Sequence, residues 1–302
     1  MVLLNMGEIL KVHARKHPMK MALKDWRGKV LTYQELESRT NRLANGLLNM
    51  GLRKGDRIAI MLYNCAELAE IYCALAKIGV VAVPVNWRFV GKEIEYVVNH
   101  SDSKAMILHG DFVDVINPVR SGFKKVKDKN YMVVGRTAPE GYANYERLIA
   151  KSSDRVPEVK VDSKETWMQI YTSGTTRTPK GVVRSHESYI LSYLIEAFEF
   201  GFSEKDYGMI VMPLYHVNST FYGPLFLYIG ASLYVGRDKG FNPVELLRVI
   251  SREKITFTSL IPTHYAMILN VPEDVRKKYD VSSLRKLLCS SAPVRGHIKR
   301  RY

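Results

Sequence analysis

Cysteine is scarce: the chain has three, at positions 65, 73 and 289, with no C-x-x-C spacing and no histidine at zinc-site intervals. That distribution excludes a disulfide framework and argues against a metal site, leaving the three as core thiols. Long hydrophobic runs are missing too. No stretch approaches the roughly 18 apolar residues of a membrane span, and the opening Met1 to Gly7 is too short for the core of a signal peptide. A cytoplasmic location is the expectation. Acidic residues are in deficit, 30 against 45 Lys and Arg, which gives a net charge of +15. The excess is scattered, with short clusters at Lys124 to Lys129 and Lys299 to Arg301. No zinc finger, RNP-type aromatic motif or basic amphipathic helix accompanies it, so a solvated basic surface is favoured over nucleic-acid binding. Such a field would also steer polyanionic ligands. No internal repeat is visible.

What is present reads as a soluble globular chain. Hydrophobic residues make up 46% and charged residues 25% of 302 positions, more than one hydrophobic core usually serves, so two subdomains are expected. Residues 7–16 read as a helix, 19–24 and 30–32 as strands around a turn at 26–29. Thr32 and Glu35 then form a capping box, and Leu36, Leu43, Leu47 and Leu48 mark one face of a helix stopped at Gly51. A strand at 57–62, a helix carrying Leu68, Ile71, Tyr72 and Leu75 up to Gly79, and an apolar strand at 80–85 follow. Helix 93–99 and strand 105–109 continue the alternation. The pattern predicts an α/β fold of layered parallel sheets with helices on both faces. Stretches 117–130 and 135–165 are polar and Lys-rich, which puts the junction near residue 162, with subdomains at 1–162 and 163–302. In the second half, strands are expected at 167–171, 207–212, 231–235, 256–261 and 284–289. Helices are expected at 185–200, at about 219–229, and after an Asn242 N-cap with Pro243 at its first turn.

The most informative stretch is Tyr171 to His186. Thr172, Ser173, Gly174, Thr175 and Thr176 offer four hydroxyls and a glycine in five residues, a composition that turns side-chain and backbone donors toward an anion. Lys180 adds a fixed positive charge, and Pro179 biases Thr178 toward an extended conformation, so the lysine should sit on a stiffened return strand. A Walker A loop would need glycine before the lysine and Ser or Thr after it; Pro179 and Gly181 stand there instead.

The run Tyr-Thr-Ser-Gly-Thr-Thr-x-x-Pro-Lys-Gly resembles the signature of the AMP-forming adenylating enzymes, which include acyl- and aryl-CoA synthetases, adenylation domains and luciferases. The one departure is Arg177, where members usually carry glycine. Either no positive φ is needed there or a strained arginine is held at a cost of about 1 kcal/mol. Asn86-Trp87-Arg88 resembles a run found in many acyl-CoA synthetases and favours a CoA ligase.

The resemblance implies a reaction in two steps, in which a carboxylate attacks the α-phosphorus of Mg-ATP and the CoA thiol then displaces AMP. ATP, Mg2+ and CoA are thus the implied cofactors and co-substrates, a small carboxylic acid the partner, and fatty acid metabolism the setting; a homodimer is an assembly it allows. Thr172, Ser173, Gly174, Thr175, Thr176, Lys180 and Gly181 would hold phosphate, with Lys180 acting in catalysis. Ser291, Ala292 and Pro293, after Ser290, stand where members often carry Gly-Gly-Ala-Pro, a wall shared by adenine and acyl group. The serines imply a narrowed pocket, with a surface turn as the competing reading. Pro213-Leu-Tyr-His216-Val-Asn218 resembles a second family landmark, so His216 would act beside the reacting carboxylate. Asn218, Phe221 and Tyr222 would line the acyl channel, although Phe221 and Tyr222 read equally well as helix core. No residue is assigned to the metal. The family's Tyr-Gly-x-Thr-Glu motif, hinge, C-terminal lid domain and second lysine fall beyond Tyr302. The chain is accordingly expected to be the N-terminal part of such an enzyme, inactive alone. The alternative is a non-catalytic fragment or nucleotide-binding pseudoenzyme.

Overall fold

The computed structural model describes residues 5–172 and 179–290. Its elements run α1 (Ile9–Lys16), β1 (Met21–Asp25), β2 (Val30–Thr32), α2 (Tyr33–Asn49), β3 (Arg57–Met61), α3 (Ala66–Ile78), β4 (Val81–Pro84), α4 (Lys92–His100) and β5 (Ala105–His109). After α5 (Val113–Ile116) come β6 (Tyr131–Val134), β7 (Ala143–Asn144), α6 (Tyr145–Lys151), β8 (Thr166–Thr172), β9 (Lys180–Ser185) and α7 (His186–Phe200). The remainder is β10 (Tyr207–Ile210), α8 (Val217–Tyr228), β11 (Ser232–Val235), α9 (Pro243–Glu253), β12 (Phe257–Leu260), α10 (Pro262–Leu269), α11 (Glu273–Arg276) and β13 (Lys286–Cys289).

Local chemistry sets the boundaries. The Thr32 hydroxyl accepts from the Glu35 N–H while the Glu35 carboxylate accepts from the Thr32 N–H at 2.8 Å, the reciprocal pairing of a capping box. Gly51 and Gly79 end α2 and α3 with φ of +97° and +63°, values only glycine adopts without strain. Asn242 caps α9 by accepting from the Val244 and Glu245 N–H groups, with Pro243 in the first turn.

The chain divides into two units. One comprises Met1–Lys20, Leu31–Tyr63 and Glu67–Ser192; the other Met21–Val30, Asn64–Ala66 and Tyr193–Tyr302. The division therefore falls after Ser192 and not near residue 162. The reason is that β8 and β9 complete the sheet of the first unit, and that β1 is lent to the second. In the first unit the sheet order is β7-β6-β5-β3-β4-β8-β9. Its strands pair in parallel except at β8 and β9, which are antiparallel. Its core holds Val83, Val97, Met106, Leu108 and Val133, all at most 1% exposed. A polar network ties its helices: Arg39 donates to both Glu70 oxygens at 3.0 Å, and buried Tyr145 donates to the same carboxylate at 2.7 Å. Nearby, buried Lys77 donates to Glu37 at 2.6 Å; burial lowers its pKa although Glu37 opposes the shift.

In the second unit the order is β13-β12-β10-β11-β1-β2, with the division falling on β2. The pairs β12/β13, β10/β12, β10/β11 and β1/β11 are parallel. Among the described residues no helix is long and apolar enough to cross a membrane. Cys65 and Cys73 are buried as expected of core thiols, and Cys289 is half-buried.

Candidate functional site

The residues expected to hold phosphate belong to the segment joining β8 and β9 in the first unit. Thr172 ends β8, Lys180 begins β9, and the two are paired across the ladder, with Tyr171 opposite Gly181. The sheet thus holds both ends of the intervening loop in register. Ser173, Gly174, Thr175, Thr176, Arg177 and Thr178 lie outside the described residues. Lys180 is exposed on the return strand that Pro179 was expected to stiffen. The Tyr96 hydroxyl donates to the Pro179 carbonyl at 3.0 Å, fixing the backbone one residue before that lysine. Tyr171 shares a 2.8 Å hydrogen bond with His100 Nδ1 and accepts from Gln169 Nε2 at 3.2 Å. Burial pushes the Tyr171 hydroxyl up to about 12, so it stays protonated at neutral pH.

Gly181 has a structural reason to be glycine. A Cβ there would sit 2.6 Å from Gln169 Nε2 and 3.2 Å from the Tyr171 hydroxyl. The residue thus lets the cross-strand side chains close over the hairpin beside Lys180. At the far end of the same stretch, His186 opens α7 and is fully buried. Its ring stacks on Trp167 with centroids 5.8 Å apart, and Nδ1 accepts from the Met6 N–H at 3.2 Å. Burial lowers its pKa to about 4, and with Nδ1 accepting, the neutral ring carries its proton on Nε2.

The second group of residues belongs to the second unit. His216 is the exposed N-cap residue of α8, with its ring 4.5 Å from that of Tyr215. The turn leading to it is held by Asn64, whose Nδ2 donates to the Met212 carbonyl at 2.9 Å and whose Oδ1 accepts from the Leu214 N–H at 2.8 Å. Sequence reasoning missed Asn64, because nothing local marks a residue whose partners are about 150 positions away. Ser219 adds a bond to the same Met212 carbonyl at 2.9 Å.

Asn218 donates from Nδ2 to Ser259 Oγ at 2.8 Å and to Ser290 Oγ at 2.7 Å, linking α8 to the ends of β12 and β13. Its Oδ1 is buried without a partner among the described residues. Ser290 is thereby tied to the interior, while Ser291, Ala292 and Pro293 lie outside the described residues. Phe221 packs its ring 5.4 Å from Tyr193, and Tyr222 lies 5.2 Å from Phe257; both are half-buried. Pro224 interrupts α8 without breaking it. Lacking an N–H, it leaves the Thr220 carbonyl without its helical donor, and the Tyr193 hydroxyl reaches that oxygen at 3.4 Å. No group of three His, Cys, Asp or Glu among the described residues could hold a metal ion.

The described residues form two layered α/β units, one with a hairpin whose strand ends are held in register on either side of a Thr/Ser/Gly sequence. The profile of the AMP-binding enzyme family matches residues 10–302, and the chain belongs to that family. It is 31% identical over 266 residues to a long-chain-fatty-acid–CoA ligase of Thermus thermophilus, covering 87% of this chain and 48% of that one. The fold is similar to that of an anthranilate CoA ligase, AuaEII, solved with anthranoyl-AMP, at a TM-score of 0.90 and 24% identity over 99% of this chain and 57% of that one. It is also similar to a long-chain-fatty-acid–CoA ligase from Archaeoglobus fulgidus, at a TM-score of 0.89 and 23% identity over 99% of this chain and 60% of that one. The chain spans about half the length of the curated relatives it matches.

Proposed function

We propose that the chain is the N-terminal part of an AMP-forming acid–thiol ligase, which activates a carboxylic acid with ATP and passes the acyl group to CoA. The observation that carries this reading is the hairpin itself. Its loop begins at Thr172 and ends at Lys180, two positions that face each other across the β8–β9 ladder, and it has the sequence of the family's signature. In this reading Thr172 to Thr176, Lys180 and Gly181 receive the phosphates. The Lys180 ammonium opposes the charge that grows on the α-phosphate oxygens as the carboxylate attacks. Mg2+ would offset the remaining phosphate charge, and no described residue is assigned to it. His216 stands on the acyl side near the reacting carboxylate, with Asn218, Phe221 and Tyr222 along the acyl group. Ser291, Ala292 and Pro293 are assigned to adenine by sequence alone. A fatty or aromatic acid as substrate, a cytoplasmic site of action and a homodimer belong to the same proposal.

The test is ATP–pyrophosphate exchange with a panel of aliphatic and aromatic acids, run on the protein extended to the length of its relatives. Acid-dependent exchange is expected, and Lys180→Ala should lower it at least about 10-fold, equal to roughly 1.4 kcal/mol of barrier. The 302-residue chain alone should show background turnover. Acid-independent or absent exchange in the extended protein would favour a nucleotide-binding pseudoenzyme.

A further inference from the structure

The sheet of the second unit reverses its winding between β10 and β12. From β10 the chain passes through α8 to β11 on one side; from β11 it passes through α9 to β12 on the other side of β10. The carboxyl ends of strands at such a reversal are where open α/β sheets form ligand crevices. The two helices lie on opposite faces. A Cβ on Gly208 would fall 2.2 Å from the Phe226 ring, and Gly223 lies against Ile210 and Leu233, so α8 covers the face of 208, 210 and 233. Leu246, Val249 and Ile250 of α9 pack with Met209 and Tyr234, the alternate positions. His216 and Asn218 belong to the α8 face.

Beside that reversal, the carboxyl ends of β10 and β11 border an open cavity on the α9 face. This cavity of about 370 Å³ is walled by Met209, Val211, Tyr234, Val249, Phe241 and Trp26, with Arg237 also lining it. Trp26 is held by its indole N–H, which donates to the Asn64 carbonyl at 3.0 Å, and by its backbone N–H, which donates to the Val235 carbonyl at 3.0 Å. The Arg237 guanidinium lies 5.4 Å from the centre of the Trp26 ring. It is exposed, and no carboxylate among the described residues pairs with it. The other two charged lining groups are engaged: Glu245 with Arg248, and Arg252 with Glu253 at 2.8 Å.

We propose that this cavity is a second small-molecule site, on the opposite face of the sheet from His216, for a monoanion with a flat apolar body, an aromatic carboxylate. Its volume falls within the range of about 300–1,000 Å³ typical of ligand pockets, and the rings of Trp26, Tyr234 and Phe241 give it aromatic walls for a planar body beside a polar rim that includes Asn242. Arg237 supplies a planar donor fork that fits a carboxylate, and its ring contact with Trp26 fixes where that charge sits. With one unpaired cation the site matches one negative charge; a polyphosphate would leave charge uncompensated.

The experiment titrates the 302-residue chain with 2-naphthoate and reads tryptophan fluorescence together with binding heat. Saturable binding is expected with a Kd between about 10 μM and 1 mM. Trp26→Phe should remove most of the fluorescence change and keep the heat. Arg237→Gln, at an exposed position, should weaken binding at least 10-fold, as should replacing the probe by uncharged 2-naphthalenemethanol. Val211→Phe, which fills the cavity, should abolish binding, and His216→Ala should leave it unchanged. Binding that survives both Arg237→Gln and Val211→Phe, binding lost with His216→Ala, or no saturation below about 1 mM would each overturn the proposal. None of these outcomes bears on whether the extended protein catalyses pyrophosphate exchange.

Discussion

Tyr96, on α4, donates its hydroxyl to the carbonyl of Pro179, 83 residues later, at 3.0 Å. The bond fixes the backbone at Pro179, just before Lys180 opens β9, from outside the hairpin. Tyr96→Phe keeps the ring and removes the donor, so it should cost about 0.5–1.5 kcal/mol in urea unfolding. If the loop serves nucleotide binding, ATP affinity in the extended protein should fall with it while acid selectivity stays. An unchanged midpoint with unchanged ATP affinity would mean the bond does not constrain the hairpin.

Gly181→Ala introduces a methyl 2.6 Å from Gln169 Nε2, so a neighbour must move. Because the nearest atom is the far end of a flexible side chain, the expected loss is about 1 kcal/mol, the low end of the cost of overpacking. Gln169→Ala should recover part of it, giving a non-additive double-mutant cycle; strict additivity would show that the strain lies elsewhere.

The buried His186 should make stability acid-sensitive. Its folded-state pKa of about 4 lies below the ordinary 6.5, so between those values the unfolded chain binds the additional proton. Stability contributed by the neutral ring is full above about pH 6.5 and is lost as pH falls toward 4, by an amount on the order of 3 kcal/mol. His186→Asn retains an acceptor without titrating, so its advantage or deficit relative to the parent should shift toward the mutant as pH drops. Parallel stability curves from pH 7 to 4 would contradict the assignment.

His216→Ala should alter acid selectivity or adenylation rate in the extended protein and leave AMP affinity nearly intact. Loss of AMP binding with unchanged acid selectivity would move His216 out of the acyl side.

Tyr193→Phe should destabilise by about 1 kcal/mol, because the Thr220 carbonyl loses its substitute donor. In a Pro224→Ala background the helix supplies its own N–H, and the same change should cost much less. Equal costs in both backgrounds would show that the tyrosine acts through ring packing against Phe221 and not through this bond.

What the sequence made legible was chemistry that acts within a few residues. The Thr32–Glu35 box, the Asn242–Pro243 start and the glycine stops at 51 and 79 all appear where the pattern placed them. β6 is not legible in the sequence, because four residues between polar, Lys-rich flanks carry too little periodicity. What makes it a strand is non-local: pairing with β5 and the Arg120 guanidinium 3.9 Å from the centre of the Tyr131 ring. α6 is masked by the same polar stretch, although Asn144 caps it by accepting from the Arg147 N–H. The misplaced junction has the same origin. Composition changes at 162, but sheet membership is decided by the β4–β8 pairing and by β1 joining β11, relations between distant positions. At the candidate site, Lys180 and His216 could be singled out from motifs, whereas Tyr96, Gln169 and Asn64 became visible only through their partners.

The loan of β1 to the second unit carries a cost in time. Leu23 pairs with Leu233, so once made, β1 waits for a partner roughly two hundred residues downstream. At a ribosomal pace of about 5–20 residues per second, that wait lasts on the order of 10–40 s. Through that interval Ala22 and Leu23, which end fully buried, have no β11 to pair with. A nascent chain stalled before β11 should therefore recruit chaperones through the segment around β1, even if the first unit has already folded.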